Sequence, residues 1–181
     1  MSDESTSVLR QLVEHLGRFP EDAFLFVREG LAFTAEQLHG AETPAHRKLQ
    51  EYISTHQLDW SDLVAAYYAG TLPASLASAV DATGGVEKLN RHISGRELCW
   101  GLRDYALSRW GLLARTVLES WNIKSTQDFG RIVFAFIDFD LMQKQTADAE
   151  DDFEQVYTFE EAFEEPFRIA HRDKGSDRSK P

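Results

Sequence analysis

The sequence predicts a mainly α-helical fold, with a C-terminal helix-turn-helix of winged-helix type followed by a short β-hairpin. Apolar residues recur at helical spacing through most of the chain, behind residues that can cap a helix. Near the C-terminus the apolar period shortens to two, which is typical of strands. With 181 residues, 43% of them hydrophobic, the chain has the size of one domain and enough apolar residues for a core.

The N-terminal part, residues 1–91, is predicted to be helical. Ser5 and Thr6 precede an apolar stripe that ends at Gly17, which predicts a first amphipathic helix. The segment from Glu21 to His39 is apolar on two faces, so this second helix is predicted to be central.

Residues 41–91 differ in character from their surroundings and are predicted to be an insertion. Pro44 can open one helix, and Asp59 can cap another that runs to Tyr68. Small and hydroxyl residues dominate 69–90, which predicts a short, weak helix between loops.

The C-terminal part, residues 92–165, carries the predicted winged-helix-like unit. Ser94 and Glu97 form a capping box for a helix that ends near Trp110. A helix over 112–121, a turn at Asn122 and a helix over 125–140 follow, and Ser125 with Asp128 is predicted to cap the last of these. Alternating residues in 141–145 and 153–159 predict the two hairpin strands, and a last helical turn is expected after them, with Thr158 and Glu161 as its cap.

The net charge of −11 is concentrated in one block. Residues 146–165 hold nine acidic and no basic side chains, whereas the tail 166–181 holds five basic and two acidic ones. We expect this basic tail to be flexible. The acidity therefore falls on the segment that would form the wing.

This charge distribution opposes DNA binding by the winged-helix-like unit, because wing and recognition helix both approach phosphates. The recognition helix has one basic residue, Arg131, and the wing is acidic. The predicted protein-contact residues are Arg131 and the acidic side chains Asp148, Glu150, Asp151 and Asp152. The alternative is a nucleic-acid-associated transcriptional regulator that uses the helix-turn-helix and the basic tail.

No pattern in the sequence predicts a catalytic residue, a metal site or a cofactor. The six histidines form no HxxxH or HExxH pair, and no glycine-rich phosphate loop is present. The single cysteine, Cys99, lies in an amphipathic helix and cannot form an internal disulfide, which favours a cytoplasmic protein. No segment has the apolar length of a membrane span.

The same order of residues, apolar, then Arg, then acidic, occurs inside two of the long predicted helices and suggests ion pairs between them. Arg28–Glu29 and Arg103–Asp104 each follow an apolar residue. Neighbouring residues on a helix do not face one another, so each arginine is expected to find its partner elsewhere. If the two helices pack together, Arg28 can pair with Asp104 and Arg103 with Glu29.

Five segments together resemble a conserved bacterial repeat-protein family without an established function, found mainly in planctomycete and verrucomicrobial genomes. The segments are AFLFVREGLAFT (23–34), HISGRELCWGLRDYAL (92–107), WGLLARTVLESWNI (110–123), STQDFGRIVFAFID (125–138) and DFEQVYTFEEAF (152–163). The resemblance implies a small, mainly helical cytosolic protein and no particular activity. Family members pass quickly from the first motif to the second, so residues 41–91 would be specific to this chain, and Asn122 stands where the family favours Gly.

The function predicted from these observations is a non-enzymatic cytosolic protein–protein interaction module. Its partner and its oligomeric state are not specified by any pattern in the sequence.

Overall fold

The computed structural model describes residues 2–142 and 149–164, and these residues are mainly helical, as predicted. The α-helices in these ranges are α1 (Ser2–Leu16), α2 (Glu21–His39), α3 (Pro44–His56), α4 (Trp60–Tyr68), α5 (Ala74–Ala82), α6 (Gly95–Trp110), α7 (Ala114–Ser120), α8 (Thr126–Asp138) and α9 (Phe159–Phe163). Short 3-10 turns cover Val86–Lys88, Gly111–Leu113 and Glu150–Phe153.

Helices α2 and α6 form the central pair of the fold. Gly30 of α2 faces Leu102, and Gly101 of α6 faces Thr34. A Cβ atom added at Gly101 would lie 1.9 Å from the Thr34 hydroxyl, so only glycine permits this approach. The buried Thr34 hydroxyl donates to the Gly30 carbonyl at 2.7 Å, which satisfies it within the contact.

The main core lies around this central pair and is rich in aromatic side chains. Helices α1, α7, α8 and α9 pack against α2 or α6. Phe24, Phe129 and Phe163 are fully buried there. The ring of Phe26 lies within 6.4 Å of Tyr105, Trp110, Trp121 and Phe129.

A second, smaller core lies within the segment predicted to be an insertion. Helix α3 packs against α5, and the buried side chains are Leu49, Ile53, Leu63, Leu76, Ala79, Val80 and Leu89. The Tyr67 hydroxyl donates to Asp81 at 2.5 Å, which ties α4 to α5. Whether these residues are an insertion relative to other proteins stays a prediction.

The capping boxes at Ser94 and Thr158 are confirmed, each with its acidic partner at the third helical position. Helix α8 begins directly after Ser125, whose backbone amide donates to the Asp128 carboxylate at 3.1 Å. The predicted start of α1 is wrong, because the helix begins at Ser2 and both Ser5 and Thr6 lie inside it.

The winged-helix prediction is not supported. Helices α7 and α8 form at the predicted place, but residues 2–142 and 149–164 contain no β-strand. The second predicted strand, 153–159, crosses α6 and α8 as a single chain with a left-handed residue at Gln155. Phe153, Tyr157 and Phe159 face the core while Gln155 is exposed, and no strand of the described chain lies beside them. The period of two therefore comes from separate contacts with helices and not from a strand. Residues 143–145 of the first predicted strand lie outside the described residues.

Candidate protein-interaction surface

The segment 149–164, here called the acidic strap, lies across α6 and α8 and is fixed by aromatic side chains. Phe153 fills the space left by two glycines, one on each helix. A Cβ atom at Gly95 would lie 2.7 Å from the Phe153 ring, and one at Gly130 would lie 2.9 Å from it. The strap can therefore approach both helices only because these positions lack side chains.

Tyr157 and Phe159 continue this attachment toward the C-terminus. The Tyr157 hydroxyl donates to the Cys99 carbonyl at 2.7 Å, and its ring lies 4.8 Å from that of Trp100. Burial raises the pKa of Tyr157 well above its ordinary value, so this hydroxyl stays protonated and remains a donor. Phe159 packs on Phe129 with ring centroids 6.1 Å apart. The backbone of the strap is thus held by the main core.

The outer side of the strap is uniformly acidic. It carries no basic residue, and its exposed acidic side chains are Glu150, Asp151, Asp152, Glu154, Glu160, Glu161 and Glu164. Glu161 caps α9, and the Thr158 hydroxyl lowers the pKa of its carboxyl group. Glu164 pairs with Arg115 of α7. Glu150, Asp151, Asp152 and Glu154 are also exposed.

The predicted contact residues are only partly brought together. Glu150, Asp151 and Asp152 lie on the strap, exposed to solvent. Asp148 lies outside the described residues. Arg131 lies on α8, where its guanidinium donates to Asp128 at 2.6 Å.

Asp128 is the centre of a structural network that the sequence only partly predicts. Its carboxylate is 1% exposed and accepts from the backbone amides of Lys124 and Ser125. Arg18, from the loop between α1 and α2, pairs with it at 3.1 Å. Arg131 also pairs with this carboxylate, so two arginines share one negative charge. Arg131 therefore has a structural partner within the fold, although about half of its side chain remains exposed.

The predicted reciprocal ion pairs between α2 and α6 are wrong. The two helices do pack together, but Arg103 pairs with its neighbour Asp104 at 2.6 Å and stacks on Trp100. Glu29 accepts from the Tyr105 hydroxyl at 2.8 Å and lies 3.7 Å from Arg109. Among the described residues, Arg28 forms no ion pair with Asp104. Adjacent residues on a helix point in different directions, but the Arg103 side chain is long enough to reach the carboxylate of Asp104.

Cys99 is a core residue in the structure. It is fully buried, and this burial raises the pKa of its thiol to about 12. The reactive thiolate is therefore scarce at neutral pH, which makes Cys99 a poor nucleophile.

A cavity lies beside the start of the strap, and a cleft lies next to that cavity. The smaller is a cavity of about 250 Å³ between α2, α6 and α8, lined mainly by apolar side chains. The larger is an open cleft of about 1320 Å³ between the segment 42–61 and the end of α8. Arg91, His92, Ile137 and Met142 line both, so the cavity lies directly beside the cleft.

Sequence reasoning missed the attachment of the strap and the cavity. One signal pointed to the attachment: Gly130 lies inside an amphipathic helix, where a glycine often marks a close approach. Gly95 is the first residue of α6 and gave no such signal. The position of Phe153 against both of them required the packing of α6 on α8, which periodicity does not supply. The cavity depends on that same packing.

Comparisons with protein-family models, with curated proteins and with solved structures find no match to this chain. The resemblance to the bacterial repeat-protein family therefore stays a prediction. Across residues 2–142 and 149–164, no group of three or more His, Cys, Asp or Glu side chains is arranged to hold a metal ion. None of the helices described is both long and apolar enough to cross a membrane.

Proposed function

We propose that this chain is a non-enzymatic, cytoplasmic protein-interaction module whose acidic strap binds a basic surface on a partner protein. The observation that supports this function is the pairing of a fixed backbone with an unbalanced charge. The strap presents seven exposed carboxylates and no basic side chain, and Arg115 of α7 offsets the charge of Glu164 alone among the pairs described above. Phe153, Tyr157 and Phe159 hold the strap on the core. A surface ordered before binding loses little conformational entropy when a partner docks.

Electrostatics gives this surface its selectivity. Carboxylates of one sign steer a basic partner and disfavour acidic ones, and the attraction weakens as salt shortens the screening length. The same charge repels the phosphates of nucleic acid.

The groups that could suggest catalysis have structural tasks. The carboxylates with lowered pKa values, Asp59, Glu97 and Glu161, each cap a helix. The cysteine thiol lies in the core and is protonated at neutral pH. These assignments favour binding over chemistry.

The test compares two sets of substitutions with the same change in net charge. The strap variant combines Glu150→Gln, Asp151→Asn and Glu154→Gln, and the control combines Glu14→Gln, Glu36→Gln and Glu51→Gln at exposed positions on α1, α2 and α3. The tagged chains are cross-linked in native cells, and the captured proteins are quantified by mass spectrometry. We expect the strap variant to capture ~10-fold less of each basic partner, which corresponds to about 1.4 kcal/mol of binding free energy. The control should capture the same amount as the unchanged chain.

Equal capture by both variants and the unchanged chain would contradict the proposal. Salt-sensitive retardation of DNA or RNA by the full chain would replace it with the nucleic-acid alternative.

A further inference from the structure

The cavity between α2, α6 and α8 has apolar walls that no other part of the described chain fills. Its lining includes Leu31, Ala35, Ile93, Phe134, Ile137 and Met142, all of them half-buried. Apolar side chains around an open depression gain free energy when another apolar group excludes water from them. The cavity is therefore suited to an apolar guest.

The size of the cavity indicates what kind of guest fits. Its volume of about 250 Å³ lies below the ~300–1,000 Å³ of pockets for drug-sized molecules. It is ample for one large apolar side chain. The neighbouring cleft of about 1320 Å³ is open to solvent and can hold the chain on either side of that residue. Anchor residues in well-packed pockets supply most of the binding energy at protein interfaces.

The charges around the two depressions favour a basic guest. Asp152 lines the cavity, and Glu42, Asp59 and Asp140 line the cleft. Asp59 and Asp152 accept hydrogen bonds from uncharged N–H and O–H groups, which leave their negative charge in place.

The cationic side chain at the same place is partly engaged within the fold. The Arg91 guanidinium donates to the carbonyls of His39 and Gly40, at 3.3 and 2.6 Å, and so holds the end of α2. Among the described residues that line the two depressions, Arg91 stands against four carboxylates, one of which, Glu42, pairs with Arg47 at 3.5 Å. The described lining therefore carries a net negative charge. Glu150 and Asp151, beside Asp152 on the strap, extend the same sign of charge.

We propose that the cavity and the cleft form a groove for a basic peptide segment of the partner protein. One Leu, Phe or Trp side chain of that segment enters the cavity, and flanking Lys and Arg side chains lie against the carboxylates. This inference rests on the proposed function, since it specifies which segment of a basic partner the strap helps to bind. It adds an apolar anchor to what would otherwise be a purely electrostatic contact.

The test uses short synthetic peptides with a central Leu, Phe or Trp between Lys and Arg residues. Reference peptides carry Ala at the centre or Glu in the flanks. Binding to the full chain is measured by fluorescence anisotropy at low salt. The best anchored basic peptide should bind at least ~10-fold more tightly than its Ala counterpart, and the acidic counterpart should not bind.

A matched pair of variants locates the anchor. Ala35→Leu places extra atoms in the cavity, whereas Ala32→Leu makes the same change at an exposed position on α2. The first should remove the preference for an apolar centre, and the second should leave it intact. If Ala35→Leu fails to fold, methyl NMR of the unchanged chain replaces it. The anchored peptide should then shift the methyl signals of Ile93 and Ile137.

The outcomes separate this inference from the proposed function. Equal binding of the anchored and Ala peptides, reduced by the strap variant, would overturn the anchor and leave the acidic surface in place. Failure of every peptide to bind would overturn the groove, while the cross-linking experiment still decides the proposed function. If the chain self-associates as its concentration rises and this prevents peptide binding, the groove binds a second copy of this chain. That result would overturn the proposal of a basic partner segment.

Discussion

The two hydrophobic cores differ in size and in the side chains that build them. Among residues 2–142 and 149–164, the main core contains nine buried aromatic side chains out of 23 buried residues, including Phe24, Phe129 and Phe136. Within the same ranges the smaller core contains seven buried residues, all of them Leu, Ile, Val or Ala. Because stability scales with buried apolar area, the main core should determine global unfolding, and the smaller core should open on its own.

This difference explains why the acidic strap belongs to the main core. A binding surface gains from a backbone that stays ordered, and Phe153, Phe159 and Phe163 attach the strap to the more stable region. The smaller region contributes the far wall of the cleft, where modest movement is tolerable. The hydrogen bonds of Arg91 to the carbonyls of His39 and Gly40 join the two regions.

The largest expected effect comes from breaking the main core. Phe129→Ala removes a fully buried ring that contacts Phe26 and Phe159. We expect the free energy of unfolding to fall by about 3–5 kcal/mol. Chemical denaturation followed by circular dichroism measures the loss. A fall below ~1 kcal/mol would show that this ring is not central to global stability.

A smaller and local effect is expected from the second core. Leu63→Ala removes a fully buried side chain between α3, α4 and α5. The local free energy should fall by about 2–5 kcal/mol, enough to open this region before the rest. Hydrogen exchange should accelerate in α3, α4 and α5 while α2, α6 and α8 keep their protection. Uniform acceleration across all these helices would show that the two cores unfold together.

The smallest expected effect is a pH dependence of stability that comes from Cys99 in the main core. Burial raises the pKa of the Cys99 thiol from its ordinary value of 9.0 to about 12, so the folded state holds this proton when the unfolded state has lost it. The contribution of this thiol to the free energy of unfolding is therefore fully present below about pH 9 and is lost as the pH rises from about 9 to about 12. The loss approaches about 1.4 kcal/mol for each pH unit.

Cys99→Ala is the control for this pH effect. It keeps the neighbouring Tyr157 but removes the thiol, so its stability should decline less steeply between pH 9 and 10.5. Urea denaturation at several pH values gives both slopes. Parallel slopes for the two proteins would mean that the thiol is not held protonated by the main core.

Local sequence signals predicted most of the helices, and tertiary packing accounts for what they missed. The Ser94 capping box and the Ser125–Asp128 pair placed the starts of α6 and α8 correctly, because capping depends on residues within one turn. The predicted strand at 153–159 is wrong because Phe153, Tyr157 and Phe159 pack against helices, while Gln155 between them is exposed.

In the candidate site, too, some features follow from local sequence and others depend on tertiary packing. The excess of acidic residues is visible in the sequence, so Glu150, Asp151 and Asp152 were predicted as contact residues. The pairing of Arg131 with Asp128 and the cavity beside Asp152 depend on how α8 packs, and no local pattern encodes that.

The most direct test of the acidic strap as a docking surface is hydrogen exchange of the full chain, measured alone and with the free partner protein that cross-linking identifies. Binding should slow exchange in residues 149–158 and leave α1 and the 3-10 turn Gly111–Leu113 unchanged. It should also weaken as salt rises. Protection confined to α1 or to Gly111–Leu113, with the strap unchanged, would contradict the proposed function.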